Sequence, residues 1–208
     1  MDQRSTDVER LVALTGSPDE PNGDEGMDDM QPLDPRLQEL LDKEEIREVT
    51  YRFARGVDRH DWDLVRSCYH DDAKDLHGIF DGPAADYVAW VSENLPKFAD
   101  RTTHHVSNGL IELHGDVAFC ESYVFAAHRH TRDGAKADCL CGARYVDHLE
   151  RRQGVWRIVT RQLVWEWVRD DAVGGEFDAL GIDPDRCRWG EHGGGDAAYT
   201  LGRAMGDA

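Results

Sequence analysis

Apolar residues recur at three- and four-residue intervals in the first half of the ordered sequence. The stretch RLQELLDKEEIREVTYRFARGV shows this period most clearly, and Pro35 stands where a helix can begin. Gly56 weakens the last turn, so this helix is predicted to end near Asp58. A second, shorter helix is predicted after Asp61 as its N-cap, and a third after Pro83 through AADYVAWVSENLPKFA.

The pattern changes to strict alternation from Arg101 onward. Alternating segments are typical of strands, and four are present: THHVSNGLIEL, VAFCESYVFAAHRHT, CLCGARYVDHLERR and VWRIVTRQLVWEWV. A short strand and turn are also predicted in AKDLHGIFDG. Helices followed by an antiparallel meander indicate an α+β domain. We expect a cone-shaped α+β barrel, with three N-terminal helices packed on the concave face of a curved, mainly antiparallel sheet and one open mouth.

Composition divides the chain into three parts. Residues 1–34 are rich in Pro, Gly and acid, with too few apolar side chains to offset the entropy of ordering, so a disordered tail is predicted. Residues 35–169 form the predicted domain. Residues 170–208 are glycine-rich and irregular, and we expect this C-terminal extension to lie over a neighbouring subunit or the mouth of the cone.

The charge of the chain excludes two classes of partner. The net charge is −18. Residues 1–35 hold ten acids and two arginines, a charge of −8, so residues 36–208 carry the remaining −10. Such a field repels nucleic acid and anionic lipid surfaces. No apolar run approaches the ~20 residues that span a bilayer. We therefore predict no nucleic-acid partner and no membrane association.

The cysteines and paired histidines offer weak metal signals. Five cysteines and no secretory signal favour a reduced cytoplasm. Cys139-x-Cys141 resembles half a zinc site, but no second ligand pair stands at the usual spacing, so two buried thiols are the preferred interpretation. His128-x-His130 is interpreted as a solvated strand end rather than a metal pair. We predict neither metal nor cofactor.

Acid–base chemistry is suggested by one strand and one helix end. Neighbouring strand residues face opposite ways, so either His104 or His105 points inward. Asn108 shares the face of His104 unless a bulge intervenes. Asp58 ends the helix that crosses the concave face, and a carboxylate there can hold an inward histidine in one tautomer. Taken singly, Asp58 also fits a loop acid and His104 an ordinary strand histidine, and His60 is predicted to be solvated.

The last strand adds an arginine among apolar neighbours. Val159, Arg161, Leu163, Trp165 and Trp167 are predicted to share one face. A guanidinium in such a place requires a partner: it stabilises a leaving anion or an enolate, or it pairs with an acid or bridges strands at a subunit contact.

Three segments in this order resemble a known family. EEIREVTYRFARGVDRHDWDLVRSCYHDDA, THHVSNGLIELHGDVA and YVDHLERRQGVWRIVTRQLVWEW are similar to the SnoaL-like branch of the nuclear transport factor 2-like superfamily, over roughly residues 38–169. That family includes scytalone dehydratase, a bile acid dehydratase, the lindane dehydrochlorinase, polyketide cyclases and ketosteroid isomerases. It also includes the non-catalytic small subunits of ring-hydroxylating dioxygenases.

The resemblance implies roles for particular residues. The proton-abstracting aspartate and histidine of the dehydratases fall on Asp58 and His104, and the arginine of the dehydrochlorinase falls on Arg161. A tyrosine of the bile acid enzyme falls on Phe53, which is a departure, and Tyr51 is the alternative source of a hydroxyl. The other residues expected to bind substrate or line the pocket are Tyr69, Trp90, Asn108 and Trp165.

These inferences combine into one functional prediction. The chain is expected to be a cofactor-independent lyase, a dehydratase or related enzyme, acting on an apolar oxygenated small molecule such as a steroid, polyketide or aromatic catabolite. An isomerase or cyclase with Asp58 alone as base is the first alternative, and a non-catalytic dioxygenase subunit the second. A homo-oligomer is expected, a trimer in preference to a dimer.

Overall fold

Three helices and two strands precede a long meander in the computed structural model, which describes residues 33–173, 183, 187 and 189–200. The helices are α1 (Pro35–Arg59), α2 (Trp62–Ser67) and α3 (Ala84–Phe98). The strands are β1 (Tyr69–Leu76), β2 (Asp81–Pro83), β3 (Arg101–His114), β4 (Val117–Arg132), β5 (Ala135–Arg152) and β6 (Val155–Ala172). The predicted α+β class, the three helices and the four long strands are confirmed.

Helix α1 begins and ends as its sequence indicates. The Asp34 side chain caps it by accepting a hydrogen bond from the backbone N–H of Arg36 at 2.8 Å, and Pro35 occupies the first turn. His60 closes the helix in a left-handed conformation with φ of 53°. Gly56 allows α2 to approach closely, because a Cβ there would lie 2.7 Å from a methyl carbon of Val65.

The sheet has six strands in the order β2-β1-β6-β5-β4-β3. All neighbours are antiparallel except β1 and β6, which run parallel. The helices pack on one face of this curved sheet and bury a core between them, as the cone-shaped barrel requires. The core side chains of α1 form one stripe, namely Ile46, Val49, Phe53 and Val57.

Two bulges change which side chains face the helices. The β3–β4 register shifts between Ser107 and Leu110, and Asn108 has a positive φ of 50°. A second shift in the β5–β6 pairing falls between Gly142 and Ala143, whose partners are Trp167 and Trp165. Trp167 therefore lies on the outer face over Gly142, and the prediction that it shares a face with Trp165 is wrong.

The described part of the C-terminal extension packs beside the end of α1. Strand β6 continues to Ala172, past the predicted boundary at residue 169. Further on, Asp196 forms an ion pair with Arg59 at 3.3 Å, and the Tyr199 hydroxyl donates to Asp61 at 2.9 Å. The predicted disordered tail, residues 1–34, lies outside the described residues except for its last two. Among the described helices, none has the length and apolarity to cross a membrane.

Candidate active site

A largely apolar cavity of about 670 Å³ lies between α3 and the helix-covered face of the sheet. Its wall combines aliphatic and aromatic side chains with two histidines from the long strands and one from the end of β1. The residues that matter to the chemistry below are His77, Tyr87, Trp90, His104, His128, Cys139, Cys141, Tyr145 and Trp165. A concave apolar site with a few polar groups is the usual form of a small-molecule site.

His104 lines this cavity, and it meets Asp58, which lies behind it and borders a shallow outer groove. Asp58 comes from the last turn of α1 and His104 from β3; Oδ1 of Asp58 lies 2.6 Å from Nδ1 of His104. The other carboxylate oxygen accepts the backbone N–H of His104 at 2.8 Å. Both side chains are about 10% exposed. The two hydrogen bonds fix the position of the histidine relative to the helix.

The charge state of Asp58 determines the tautomer of His104. Burial acts to raise the pKa of the Asp58 carboxyl, but the hydrogen bonds and the positive charge of His104 outweigh it, so the pKa lies below its ordinary value. An ionised carboxylate accepts hydrogen bonds only, so the proton of a neutral His104 is on Nδ1. Nε2 then carries a lone pair and can accept a proton from a bound molecule.

His128 lies next to this pair. Its ring stands edge-on to that of His104, with centroids 5.3 Å apart. Desolvation, followed by the charge of His104, lowers the pKa of His128 to about 4, so the ring is neutral near pH 7. The prediction that His128 and His130 form a solvated strand end is wrong: His128 lines the cavity, and His130 is buried with Nε2 at 2.9 Å from Asp170.

The thiols of Cys139 and Cys141 also face the cavity. Burial raises the pKa of both, and the charge of Asp170 adds to this for Cys139. Both are therefore protonated, weakly polar wall residues near pH 7. Within the described part of the chain, no group of three or more His, Cys, Asp or Glu side chains is placed to hold a metal ion.

Arg161 lies behind the cavity wall. It is fully buried, and its guanidinium makes a bidentate ion pair with Asp147 at 2.8 and 2.7 Å. The rings of Phe53 and Tyr145 stack on it, with centroids 4.1 and 3.9 Å from the guanidinium carbon. Burial opposes the charge, but Asp147 outweighs it and raises the pKa of Arg161. This geometry favours pairing with an acid over contact with a leaving group, because Arg161 does not line the cavity.

The six predicted substrate-binding residues divide by location. Trp90 and Trp165 line the cavity. Phe53 and Tyr69 are buried in the core behind it and do not line it. Tyr51 is 46% exposed and borders a shallow outer groove, and Asn108 lies in a depression on the outer face of the sheet beside Phe125 and Trp167. Two of the six residues, Trp90 and Trp165, therefore lie together in the cavity wall. The bulge at Asn108 explains why this residue lies on the outer face of the sheet.

His60 is held in a stack rather than in solvent. Its ring lies 3.6 Å from that of His192 and 5.1 Å from that of Trp62, so the predicted solvated position is wrong. Desolvation, with the neighbouring charge of His192, lowers the pKa of His60 to about 4. Both histidines lie beside the C-terminal end of α1, next to Asp58.

The sequence does not predict the carboxylate–histidine pair formed by Asp75 and His77. Nδ1 of His77 is hydrogen-bonded to Asp75, and Nε2 of His77 lies 3.2 Å from the Tyr87 hydroxyl. The sequence did contain a signal: Asp75 and His77 are two residues apart at the end of a predicted strand, so they share a face. Without the position of α3, nothing indicated that this face was the inner one.

The family of the chain follows from a family model. The SnoaL-like domain model matches residues 38–162, which is more than half of the chain. The chain belongs to the SnoaL-like family. The six-stranded curved sheet and its helices are those of the nuclear transport factor 2-like superfamily, to which this family belongs.

Several solved structures are similar in fold to this SnoaL-like domain. A putative scytalone dehydratase from Novosphingobium aromaticivorans is 21% identical, with 67% of this chain and 93% of that chain covered and a TM-score of 0.59. A hexachlorocyclohexane dehydrochlorinase from Novosphingobium barchaimii is 20% identical, with 65% and 93% covered and a TM-score of 0.59. A putative aromatic ring hydroxylase from Novosphingobium aromaticivorans is 16% identical, with 67% and 96% covered and a TM-score of 0.57. Among curated proteins, none matches this chain.

Proposed function

We propose that this SnoaL-like protein is a cofactor-independent lyase that eliminates water, or a related leaving group, from an apolar oxygenated small molecule. One observation carries the proposal: Asp58 holds His104 at 2.6 Å on the wall of an apolar cavity. The likeness in fold to a putative scytalone dehydratase and a dehydrochlorinase supports the same class of reaction. Steroids, polyketides and aromatic catabolites are the substrate classes that such a cavity suits.

In the proposed reaction, His104 is the general base. Nε2 takes a proton from a carbon next to an electron-withdrawing group, and the electron pair left on carbon forms the new double bond as the leaving group departs. Asp58 stabilises the imidazolium that forms and keeps Nδ1 protonated. The largely apolar wall strengthens this electrostatic interaction, because a low dielectric weakens it less than water does.

The first alternative, an isomerase or cyclase with Asp58 as the only base, is less well supported. Both carboxylate oxygens of Asp58 already accept hydrogen bonds from His104. The lowered pKa of Asp58 also makes it a weaker base. The second alternative, a non-catalytic subunit, requires no base in the cavity at all, whereas the lyase requires the pair that is present.

Replacement of His104 tests the proposal. We expect His104→Ala to fold normally and to lose turnover by about 10²–10⁴-fold, the usual contribution of a general base. The assay is a panel of β-hydroxy ketones, with deuterium exchange at the acidic carbon followed by NMR. His105→Ala is the matched control, because the neighbouring ring is exposed on the other side of the strand. Full activity of the His104 variant would reject the assignment.

The proposal also includes the oligomeric state of the protein and its location in the cell. We infer a homo-oligomer, a trimer in preference to a dimer, because exposed aromatic side chains occupy the outer face of the sheet, among them Tyr123, Phe125 and Trp167. The five cysteines are free thiols, which suits a reduced cytoplasm. Light scattering of the purified protein tests the oligomer.

A further inference from the structure

A second group of polar side chains faces the same cavity from different elements. His77 follows β1 and Tyr87 belongs to α3, whereas the Asp58–His104 pair comes from α1 and β3. The His77 ring stacks on that of Tyr87, with centroids 4.5 Å apart, while Nε2 of His77 lies 3.2 Å from the hydroxyl. On its other side, Nδ1 of His77 is hydrogen-bonded to the fully buried Asp75.

The histidine is held in place by its backbone as well as its ring. The His77 N–H donates to the carbonyl of Phe80 at 2.8 Å, and the His77 carbonyl accepts from Nε1 of Trp165 at 3.1 Å. Trp165 itself lines the cavity. The backbone hydrogen bonds therefore fix the position of residue 77, and the contacts with Asp75 and Tyr87 fix the orientation of its ring.

Tyr87 and Tyr69, whose hydroxyls contact His77 and Asp75 respectively, are hydrogen-bond donors. Burial, followed by the negative charge of Asp75, raises the pKa of Tyr69 and of Tyr87 well above the ordinary value, so both keep their protons. Tyr69 donates to Asp75 at 2.5 Å. Asp75 therefore accepts one hydrogen bond from Tyr69 and one from His77, which leaves Tyr87 at the cavity end of the chain.

We propose that Asp75, His77 and Tyr87 form an acid relay that donates a proton to the leaving oxygen of the substrate. This inference rests on the proposed lyase function, since it supplies the acid that the His104 base lacks. Arg161 was the predicted helper for the leaving group, but it is sealed behind the wall, whereas Tyr87 lines the cavity.

The proton balance of the step closes without a further reagent. His104 takes the proton from carbon, the carbon–oxygen bond breaks, and the leaving oxygen takes the hydroxyl proton of Tyr87 to depart as water. In the proposed step Tyr87 then takes a proton from Nε2 of the His77 imidazolium, while Asp75 holds Nδ1 of the same ring. Afterwards His104 releases one proton to solvent and His77 takes one up.

The relay narrows the substrate class. The molecule must present an acidic carbon–hydrogen bond to His104 and, elsewhere in the same cavity, a hydroxyl oxygen to Tyr87. Leaving groups that depart as stable anions, such as chloride, need only the first of these. A β-hydroxy ketone with an apolar body meets both requirements.

A binding experiment tests the oxygen subsite without turnover. The probes are β-acetonaphthone, whose ketone only accepts hydrogen bonds, and the hydrocarbon β-ethylnaphthalene, with binding read from the fluorescence of the cavity tryptophans. We expect the wild type to bind the ketone roughly threefold to tenfold more tightly than the hydrocarbon, which is the usual contribution of one neutral hydrogen bond. Tyr87→Phe should lose that preference and still bind the hydrocarbon. His104→Ala and the outer-face control Tyr123→Phe should keep it.

A turnover experiment separates the relay from the lyase function. The substrates are the aldol adduct of benzaldehyde and acetone and its β-chloro analogue, which both give benzalacetone. Tyr87→Phe and His77→Gln should slow loss of water by about 10²-fold or more and change loss of chloride only a few-fold, whereas His104→Ala should slow both.

The outcomes distinguish the two proposals. Equal slowing of both substrates by Tyr87→Phe, or a ketone preference that disappears in His104→Ala but not in Tyr87→Phe, would overturn the relay. If the wild type converts neither substrate, the lyase proposal loses its support for this class, and the ketone measurement still decides whether Tyr87 forms an oxygen subsite. Circular dichroism confirms that each variant is folded.

Discussion

Two of the buried carboxylates with basic partners, Asp147 and Asp58, differ in what surrounds the base. Asp147 and Arg161 are both 0% exposed, and two aromatic rings cover the guanidinium. Asp58 and His104 keep about 10% exposure, and His104 lines the cavity. The first pair is closed to solvent, whereas His104 of the second pair lines the cavity and both of its residues border the outer groove.

The difference shows why a charge pair alone does not mark an active site. A permanently charged guanidinium that is fully buried behind the cavity wall cannot exchange a proton with a ligand. A histidine whose second nitrogen faces a cavity can, and its carboxylate sets which nitrogen is free. We therefore expect changes to the closed pair to alter stability and changes to the open pair to alter turnover.

Asp58→Asn should give the largest effect. An Asn amide donates where the carboxylate accepted, which favours the tautomer of His104 with its proton on Nε2, so the base is lost. The same change in a Ser-His-Asp triad lowers kcat by about 10⁴, and we expect a fall of about 10³–10⁴ here. Steady-state kinetics measure it, and thermal unfolding should show a fold as stable as the wild type within about 1 kcal/mol.

Asp147→Ala should give the next largest effect, on stability instead. Removal of one partner leaves the Arg161 charge buried without compensation, which costs about 3–5 kcal/mol of the free energy of unfolding. Urea denaturation measures the loss. The double variant Asp147→Leu with Arg161→Met should recover much of it, because an apolar pair carries no unpaired charge. A single variant of wild-type stability would contradict the assignment of this pair as structural.

The open and closed pairs also show how far the sequence predicts this structure. Helical and strand periods were sufficient for α1, α3 and the four long strands, because each has one buried face. They placed Asp58 and His104 correctly, since the end of one helix and the parity of one strand bring them together. For Arg161 the strand period predicted the face of the sheet but not the acidic partner, because Asp147 lies on a neighbouring strand whose register is set by bulges.

Bulges explain the other failures. One extra residue near Asn108 reverses the side of the sheet on which it lies, and another separates Trp165 from Trp167. Sequence alternation cannot locate such shifts in advance. Sequence alone misses His77 for a different reason, since its ring contacts Tyr87 of α3, and the sequence does not show such a contact between separate elements.

His128 sharpens the comparison by a smaller, pH-dependent effect. Its pKa is about 4 in the folded protein against an ordinary value of 6.5, so the unfolded chain binds more protons between these pH values. This contribution to stability is therefore complete above pH 6.5 and falls as the pH is lowered toward 4. His128→Gln should reduce the acid-induced loss by about 1–2 kcal/mol. Urea titrations of both proteins at pH 8 and near pH 4 measure it, and parallel curves would refute it.

Tyr51→Phe should give the smallest effect, and it tests where the boundary of the site lies. Tyr51 is a neighbour of the open pair in sequence and was the predicted source of a hydroxyl, but it is 46% exposed and lies outside the cavity. An exposed hydroxyl contributes within about 0.5 kcal/mol to stability, so we expect kcat and the unfolding free energy to stay close to the wild type. A loss comparable to that of Tyr87→Phe would mean that substrate approaches His104 from the outer groove, which Tyr51 also borders, and not from the cavity.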